Sequence, residues 1–142
     1  MKILVINGPN LNMLGIRKPE IYGYETLSDI MEWLSNSEPA KKCKLQFYQS
    51  NHEGNLIDTI QNAKDWADGI IINAGAYTHY SYAIRDAIAA VDIPTVEVHL
   101  SAIMDREDFR KISVLKDVCI KQVYGLGKQS YLEGLKVLNE KK

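Results

Sequence analysis

The sequence predicts an α/β protein built on a doubly wound, five-stranded parallel sheet with helices on both faces. Three observations carry that reading. Short β-rich runs alternate with longer segments of helical periodicity along the chain. The strand runs are nearly continuous in apolar residues, as strands are when helices cover both faces of a parallel sheet. The 142 residues hold five strand runs, whereas a closed α/β barrel needs about eight.

The first strand is Ile3–Ile6, ended by Asn7-Gly8-Pro9. Thr26–Ser37 follows as a helix, with Thr26 or Ser28 as N-cap and Leu27, Ile30, Met31 and Leu34 at helical spacing. Leu45–Tyr48 is the second strand and Leu56–Trp66 the second helix, with Ile57, Ile60 and Ala63 on one face. Gly69–Asn73 is an intensely apolar third strand. Tyr82–Val91 is the third helix and Pro94–His99 the fourth strand. Val118–Tyr124 and Ser130–Leu138 supply a fifth strand and a closing helix. Strands joined through helices take right-handed crossovers, and the arrangement is flavodoxin-like. With no repeat, low-complexity stretch or linker, residues 1–142 read as one domain.

Composition narrows the function. Hydrophobic residues make up 46% and charged residues 25%, as in globular proteins rather than disordered ones. A net charge of -1 offers no basic surplus for nucleic acid. The amino-terminal apolar run is too short for a membrane span and has no signal-peptide core, so a cytoplasmic location is expected. Cys43 and Cys119 have no C-x-x-C partner and are expected to be reduced thiols. An anionic ligand would need a few placed arginines and backbone amides.

In an open parallel sheet, ligands bind beyond the carboxyl ends of the strands, near the switch in strand order. Polar residues concentrate there: Asn7 to Asn12, Gln49 to Glu53, Asn73 to His79, and His99 to Ser101. All three histidines of the chain fall in these loops. Gly8-Pro9-Asn10-Leu11-Asn12 lacks the spacing of a phosphate loop or a dinucleotide fingerprint. Asn10 either satisfies local backbone groups or offers hydrogen bonds to a polar pocket.

The next segment, Gly15 to Gly23, is long for a strand-to-helix loop, where roughly two to six residues are usual. It holds Arg17 and Tyr22 between two glycines, the layout of a lid. A phenol with a pKa of about 10 is a poor base at neutral pH. A guanidinium beside it favours the phenolate. The competing reading is a packed tyrosine and a solvated arginine.

Asn73 and His79 flank a turn that Gly75 allows to bend. Along the fourth strand the period of two puts Glu97, His99 and Ser101 on one side. A glutamate beside a histidine fixes its tautomer, the setting a general acid needs. No H-x-x-x-H or H-E-x-x-H pair suggests a metal, and no G-x-S-x-G suggests a nucleophilic serine. Asp105 to Arg110 looks like the start of a short helix, which would put Arg106 and Arg110 on one face. They are either a solvated salt-bridged surface or, for Arg110, a fork for a substrate carboxylate or hydroxyl.

Five blocks in order carry a family resemblance. They are Asn7-Gly8-Pro9-Asn10-Leu11-Asn12, Arg17 to Tyr22-Gly23, Gln49-Ser50-Asn51-His52-Glu53-Gly54, Asn73-Ala74-Gly75-Ala76-Tyr77-Thr78-His79, and Glu97-Val98-His99-Leu100-Ser101. Together they resemble the type II 3-dehydroquinate dehydratases. The likeness extends through Arg106–Arg110 to Tyr124-Gly125-Leu126-Gly127. It implies a hydro-lyase of the shikimate pathway, free of metal and cofactor, that turns 3-dehydroquinate into 3-dehydroshikimate. By that resemblance Tyr22 is the base that removes the proton alpha to the ketone. Arg17 holds it as phenolate, His99 protonates the departing hydroxyl, Glu97 orients His99, and Asn10 positions a water or the enolate oxygen. Asn73, His79, Leu100, Ser101 and Arg110 bind substrate, the Leu100 and Ser101 amides as anion donors. Asp86 reaches the site of a neighbouring subunit, because the family forms a homododecamer, a tetramer of trimers.

The sequence departs from the family at Ala74, where proline is common, at Ala102 and Met104, and at Lys116-Asp117. None of these replaces a catalytic group; the turn at Ala74, the affinity and the subunit contacts are where they bear. The rival readings are a non-enzymatic flavodoxin-like binding module and a sugar isomerase or hydrolase using His79 and His99. Asn7 and Asn73 stand where a receiver module would need acidic residues.

Overall fold

The computed structural model of the chain describes residues 1–16 and 19–141, with the side chains of Ile21 and Tyr22 excepted. Among these residues β1 (Lys2–Asn7), β2 (Lys44–Gln49), β3 (Gly69–Asn73), β4 (Thr95–His99) and β5 (Lys121–Tyr124) form one sheet. Its order is β2-β1-β3-β4-β5, and every neighbouring pair is parallel. The order reverses direction at β1, so the crevice opens between β1 and β3. There Asn7 stands in register with Gln49 on one side and Asn73 on the other.

Alternation along the central strands sends their side chains into two cores. Ile3 and Val5 of β1 pack with Ile71, Val96, Val98 and Val123 against α2 (Leu27–Ser35) and α5 (Gln129–Glu140). Leu4 and Ile6 pack with Ile70 and Ile72 against α3 (Glu53–Asn62) and α4 (Tyr82–Val91). Each fully buried leucine or isoleucine contributes about 1.5–3 kcal/mol. This is the two-faced core that the apolar strand runs predicted.

Local chemistry sets the helix starts. Thr26 caps α2 in a reciprocal box with Asp29: the Asp29 amide donates to Thr26 Oγ1, and Asp29 Oδ2 accepts the Thr26 amide. Those bonds hold the Asp29 carboxyl below its ordinary pKa. Ser81 caps α4, accepting the Ile84 amide at 3.1 Å. The second helix begins at Glu53, three residues before the apolar spacing suggested, and its tail from Ala63 to Asp65 tightens into a 3-10 turn. The segment read as irregular from Gly15 to Gly23 contains a short helix, α1 (Pro19–Tyr22), with proline at its favoured first position.

The largest departure is between β4 and β5. Where a crossover helix is usual, the chain makes three 3-10 turns, at Ile103–Asp105, Asp108–Lys111 and Lys116–Val118. The expected helix over Asp105 to Arg110 is broken at Arg106, whose backbone is extended. Val118 belongs to the last of these turns, so β5 starts at Lys121 rather than at Val118. This irregular crossover lies over the polar face of β4 and buries Ser113, Val114 and Leu115 there.

One polar bond set ties the switch point to the opposite layer. Tyr131 of α5 is fully buried; its hydroxyl donates to Asn7 Oδ1 at 2.6 Å and accepts Asn73 Nδ2 at 3.0 Å. Burial drives its pKa upward, so the phenol stays neutral and able to donate. Tyr131→Phe leaves two buried amide groups short of a partner. We expect a loss of about 1–3 kcal/mol, read by urea unfolding; an unchanged midpoint shows the hydroxyl is dispensable.

Candidate active site

The loops after β1 and β3 cross almost backbone to backbone. The Gly8 amide donates to the Asn73 carbonyl at 2.7 Å. A Cβ on Gly8 would lie 2.5 Å from the Ala74 carbonyl oxygen, so no other residue fits there. Gly75 has φ +60°, and a Cβ on it would press on Pro9. This crossing is the floor of a cavity of about 310 Å³ over the strand ends. Ligand pockets commonly begin near that size.

Asn10 enters the cavity wall from the first loop. Its backbone is left-handed, φ 70°, a conformation that asparagine tolerates. The Asn10 amide donates to Asn51 Oδ1 at 2.9 Å, and Asn51 Oδ1 also accepts Gln49 Nε2 at 3.2 Å. Asn51 thus carries the second loop into the support of the first. Asn73 reaches the cavity floor, with Oδ1 accepting the Gly75 amide and one Nδ2 proton given to Tyr131. Its second Nδ2 proton is what it retains for a ligand.

His99 ends β4 at the cavity, and Glu97, two residues before it, lies beneath. His99 Nε2 and Glu97 Oε2 are 2.5 Å apart. Glu97 is fully buried, and Thr78 Oγ1 and Ser113 Oγ also donate to it. Burial works against its ionised form. The bond from His99, the charge of His99 and the two hydroxyls together outweigh burial and hold the carboxyl below its usual range. With Nε2 engaged, Nδ1 is the imidazole nitrogen left for a ligand.

His79 is held differently. Nδ1 lies 2.7 Å from the Ile112 carbonyl, so it carries the proton and donates, leaving Nε2 as an acceptor. The ring stands edge-on to Phe109. Desolvation lowers its pKa, His99 and Arg110 lower it further, and the Ile112 bond opposes them. His79 is therefore the neutral imidazole of the site.

Leu100 and Ser101 line the next wall. Their carbonyls accept the Gly127 and Gly125 amides, each at 3.0 Å, which fastens this loop to the turn after β5. Arg106 and Arg110 both line the cavity, although they share no helical face. Arg110 is steadied by Glu107, its Nε donating to Oε2 at 2.5 Å, and its guanidinium lies 4.8 Å from the centre of the Phe109 ring.

Not every expected residue is here. His52 is exposed and does not line the cavity; its amide donates to Ser50 Oγ at the start of α3, so two of the three histidines belong to the site. Asp86 is exposed on α4, away from this cavity. Arg17 lies outside the described residues, as does the side chain of Tyr22, whose backbone ends α1. Sequence reasoning missed Thr78, Ser113 and Tyr131, which touch the site only from behind. Cys119 has its thiol pushed up to about 12 by burial and the Glu97 charge, so it stays a neutral thiol.

The model of the family described as dehydroquinase class II matches residues 1–139. The chain belongs to that family. It is 57% identical to the 3-dehydroquinate dehydratase of Acaryochloris marina over 136 residues, covering 96% of this chain and 91% of that one. With the 3-dehydroquinate dehydratase of Caldicellulosiruptor saccharolyticus the identity is 55%, over 98% and 97% of the two chains. Among solved structures, the type II dehydroquinase of Butyrivibrio crossotus superposes with a TM-score of 0.93 at 52% identity, over 98% and 97% of the chains. That of Propionibacterium acnes gives 0.90 at 36%, over 98% and 96%. The described residues contain no group of three or more His, Cys, Asp or Glu side chains that could hold a metal ion. They contain no helix long and apolar enough to cross a membrane.

The Glu97 geometry gives a pH dependence. Its native pKa lies below the unfolded value of 4.5. The stabilisation is thus present above pH 4.5 and fades as pH falls through the lower native pKa. Glu97→Gln is expected to lower the unfolding temperature at neutral pH and to flatten its fall in acid. A variant curve parallel to the parent's at all pH values disproves this source of acid sensitivity.

Proposed function

We propose that the chain is a type II 3-dehydroquinate dehydratase, acting as one catalytic domain in the shikimate pathway of the cytoplasm. The observation that carries this is the cavity at the sheet switch point. It joins Asn10, His79 and two arginines to a histidine backed by a buried carboxylate, in a family member matched over nearly its whole length.

The reaction is an anti elimination through an enolate. The Tyr22 phenolate takes the proton alpha to the ketone, and Arg17 keeps the phenol ionised and faces the developing negative charge. The carbanion electrons move onto the ketone oxygen, beside which Asn10 places an amide or a water. The enolate then collapses and the β-hydroxyl leaves as water, its proton supplied by His99 while Glu97 holds the ring. His79 Nε2 accepts from a substrate hydroxyl. Arg110 and the Leu100 and Ser101 amides take the carboxylate, and Asn73 donates its remaining proton from the floor.

Asp86 serves a neighbouring subunit in a homododecamer, a tetramer of trimers. Its exposure on α4 together with the exposed Tyr80 and Tyr82 supports a subunit contact there.

Adding 3-dehydroquinate is expected to raise the enone absorbance with no added metal or cofactor; no rise with folded protein refutes the activity. Tyr22→Phe is expected to lose about 10²-fold or more in turnover while calorimetry still detects ligand binding. Near-normal turnover would move the base elsewhere. His99→Ala is expected to keep exchange of the alpha proton with deuterated water while product formation falls; equal losses in both steps argue against its role as acid.

A further inference from the structure

We propose that Thr78 and Ser113 are positioning residues, whose hydroxyls fix the Glu97 carboxylate so that the dehydration proton stays on His99. The inference rests on the reading of His99 as the acid of the second step.

The geometry is closed on every side. Thr78 Oγ1 donates to Glu97 Oε2 at 2.5 Å. Ser113 Oγ lies 2.8 Å from both Glu97 oxygens. It also accepts the amides of Leu115 and Lys116, each at 3.2 Å. A hydroxyl has one proton and two lone pairs. With both lone pairs turned to backbone amides, the Ser113 proton is left for the carboxylate at 2.8 Å or for Thr78 Oγ1 at 3.4 Å, and the shorter, charged contact takes it. The Val114 amide donates to the Thr78 carbonyl at 2.8 Å, which locks the two hydroxyl-bearing segments together.

Glu97, Thr78, Ser113 and His99 are all buried. Among the described residues, the ion-pair partner of Glu97 is His99 and no lysine or arginine. A buried carboxylate without such a partner is a strong base unless donors satisfy it. If the hydroxyls go, Oε2 competes with Nε2 for the shared proton, and His99 reaches the leaving hydroxyl as a neutral ring. The other titratable groups around the carboxylate are His79, already neutral, and Cys119, a neutral thiol. Neither can replace the lost donors.

Thr78→Val and Ser113→Ala remove the donors with little change of volume, and Thr78→Ser and Ser113→Thr keep the Oγ. Each loss variant is expected to lower kcat about tenfold, the scale of one hydrogen bond to a charged group. KM should stay within about twofold, and alpha-proton exchange near the parent rate, since only the second step uses His99. The acid limb of the kcat profile should rise by about one pH unit, and the Oγ-keeping variants should restore it. The ¹³C carboxyl resonance of Glu97, followed without substrate, should titrate higher by a similar amount.

An unmoved Glu97 titration in folded Thr78→Val or Ser113→Ala overturns the proposal. So does an equal loss of exchange and turnover with an unmoved pH profile. If the parent protein makes no enone, the functional reading fails, yet the carboxyl titration still decides the role of the hydroxyls. If Ser113→Ala does not fold, the near-isosteric Thr78→Val carries the test.

Discussion

The structure depends on a buried carboxylate. Glu97 sits at full burial in a strand whose other face is packed with valine, and a bare charge there would oppose folding. The fold meets it with one imidazole and two hydroxyls from three separate segments. That requirement explains why the β4–β5 crossover is not a helix. A helix over this face would present side chains along one stripe with its backbone groups already bonded to each other. The irregular run of 3-10 turns brings Ser113 into contact and leaves the Leu115 and Lys116 amides free to orient its hydroxyl. The same run carries Arg106 and Arg110 to the cavity, so a hydrogen bond to the buried carboxylate and two guanidiniums of the cavity wall come from one segment.

At the switch point the constraint is closeness rather than charge. The strand order leaves the ends of β1 and β3 side by side, and their loops must diverge at once. Gly8 and Gly75 let the two backbones touch before they part, and Tyr131 from the opposite layer fills the amide needs of Asn7 and Asn73. The cavity is what remains above this crossing. Ala74 is fully buried at the crossing, and its carbonyl faces the Gly8 position. The close approach is made by backbone atoms.

The doubly wound parallel sheet and the edge where the cavity opens were legible because they follow from apolar runs and connection rules, which are local or nearly so. Gly69–Asn73 and Tyr82–Val91 agree residue for residue with the elements read from the sequence. The Glu97–His99 pair was legible from a period of two. What escaped were contacts between residues far apart in the chain. Thr78 and Ser113 look like ordinary polar residues until folding sets both against Glu97. Tyr131 falls inside the closing helix read over Ser130–Leu138, where nothing in the local pattern singles out its hydroxyl. His52 erred the other way: its loop lies at the right edge, but helix α3 begins there and keeps it outside the cavity. Arg106 and Arg110 reached the cavity for a reason other than helical spacing, since the helix that would have aligned them is broken between them.

The two imidazoles of the cavity are held by different partners and present different nitrogens to it. Both line the same cavity as two guanidiniums, and burial and its charged neighbours oppose a charge on His79. For His79 burial is the largest influence and lowers its pKa, and His99 and Arg110 add to it. The bond to the Ile112 carbonyl and the Glu97 charge offset it only in part, so its proton sits on Nδ1 and its Nε2 accepts. His99 faces a carboxylate held below its usual range against burial by the His99 bond and charge first and by the two hydroxyls after them. The difference between the rings is thus set by what lies behind each one, a carbonyl in one case and a satisfied carboxylate in the other. The proposed elimination, with a hydroxyl received at one ring and a leaving hydroxyl protonated at the other, calls for that asymmetry. The groups that set it, Ile112, Thr78 and Ser113, lie outside the cavity lining.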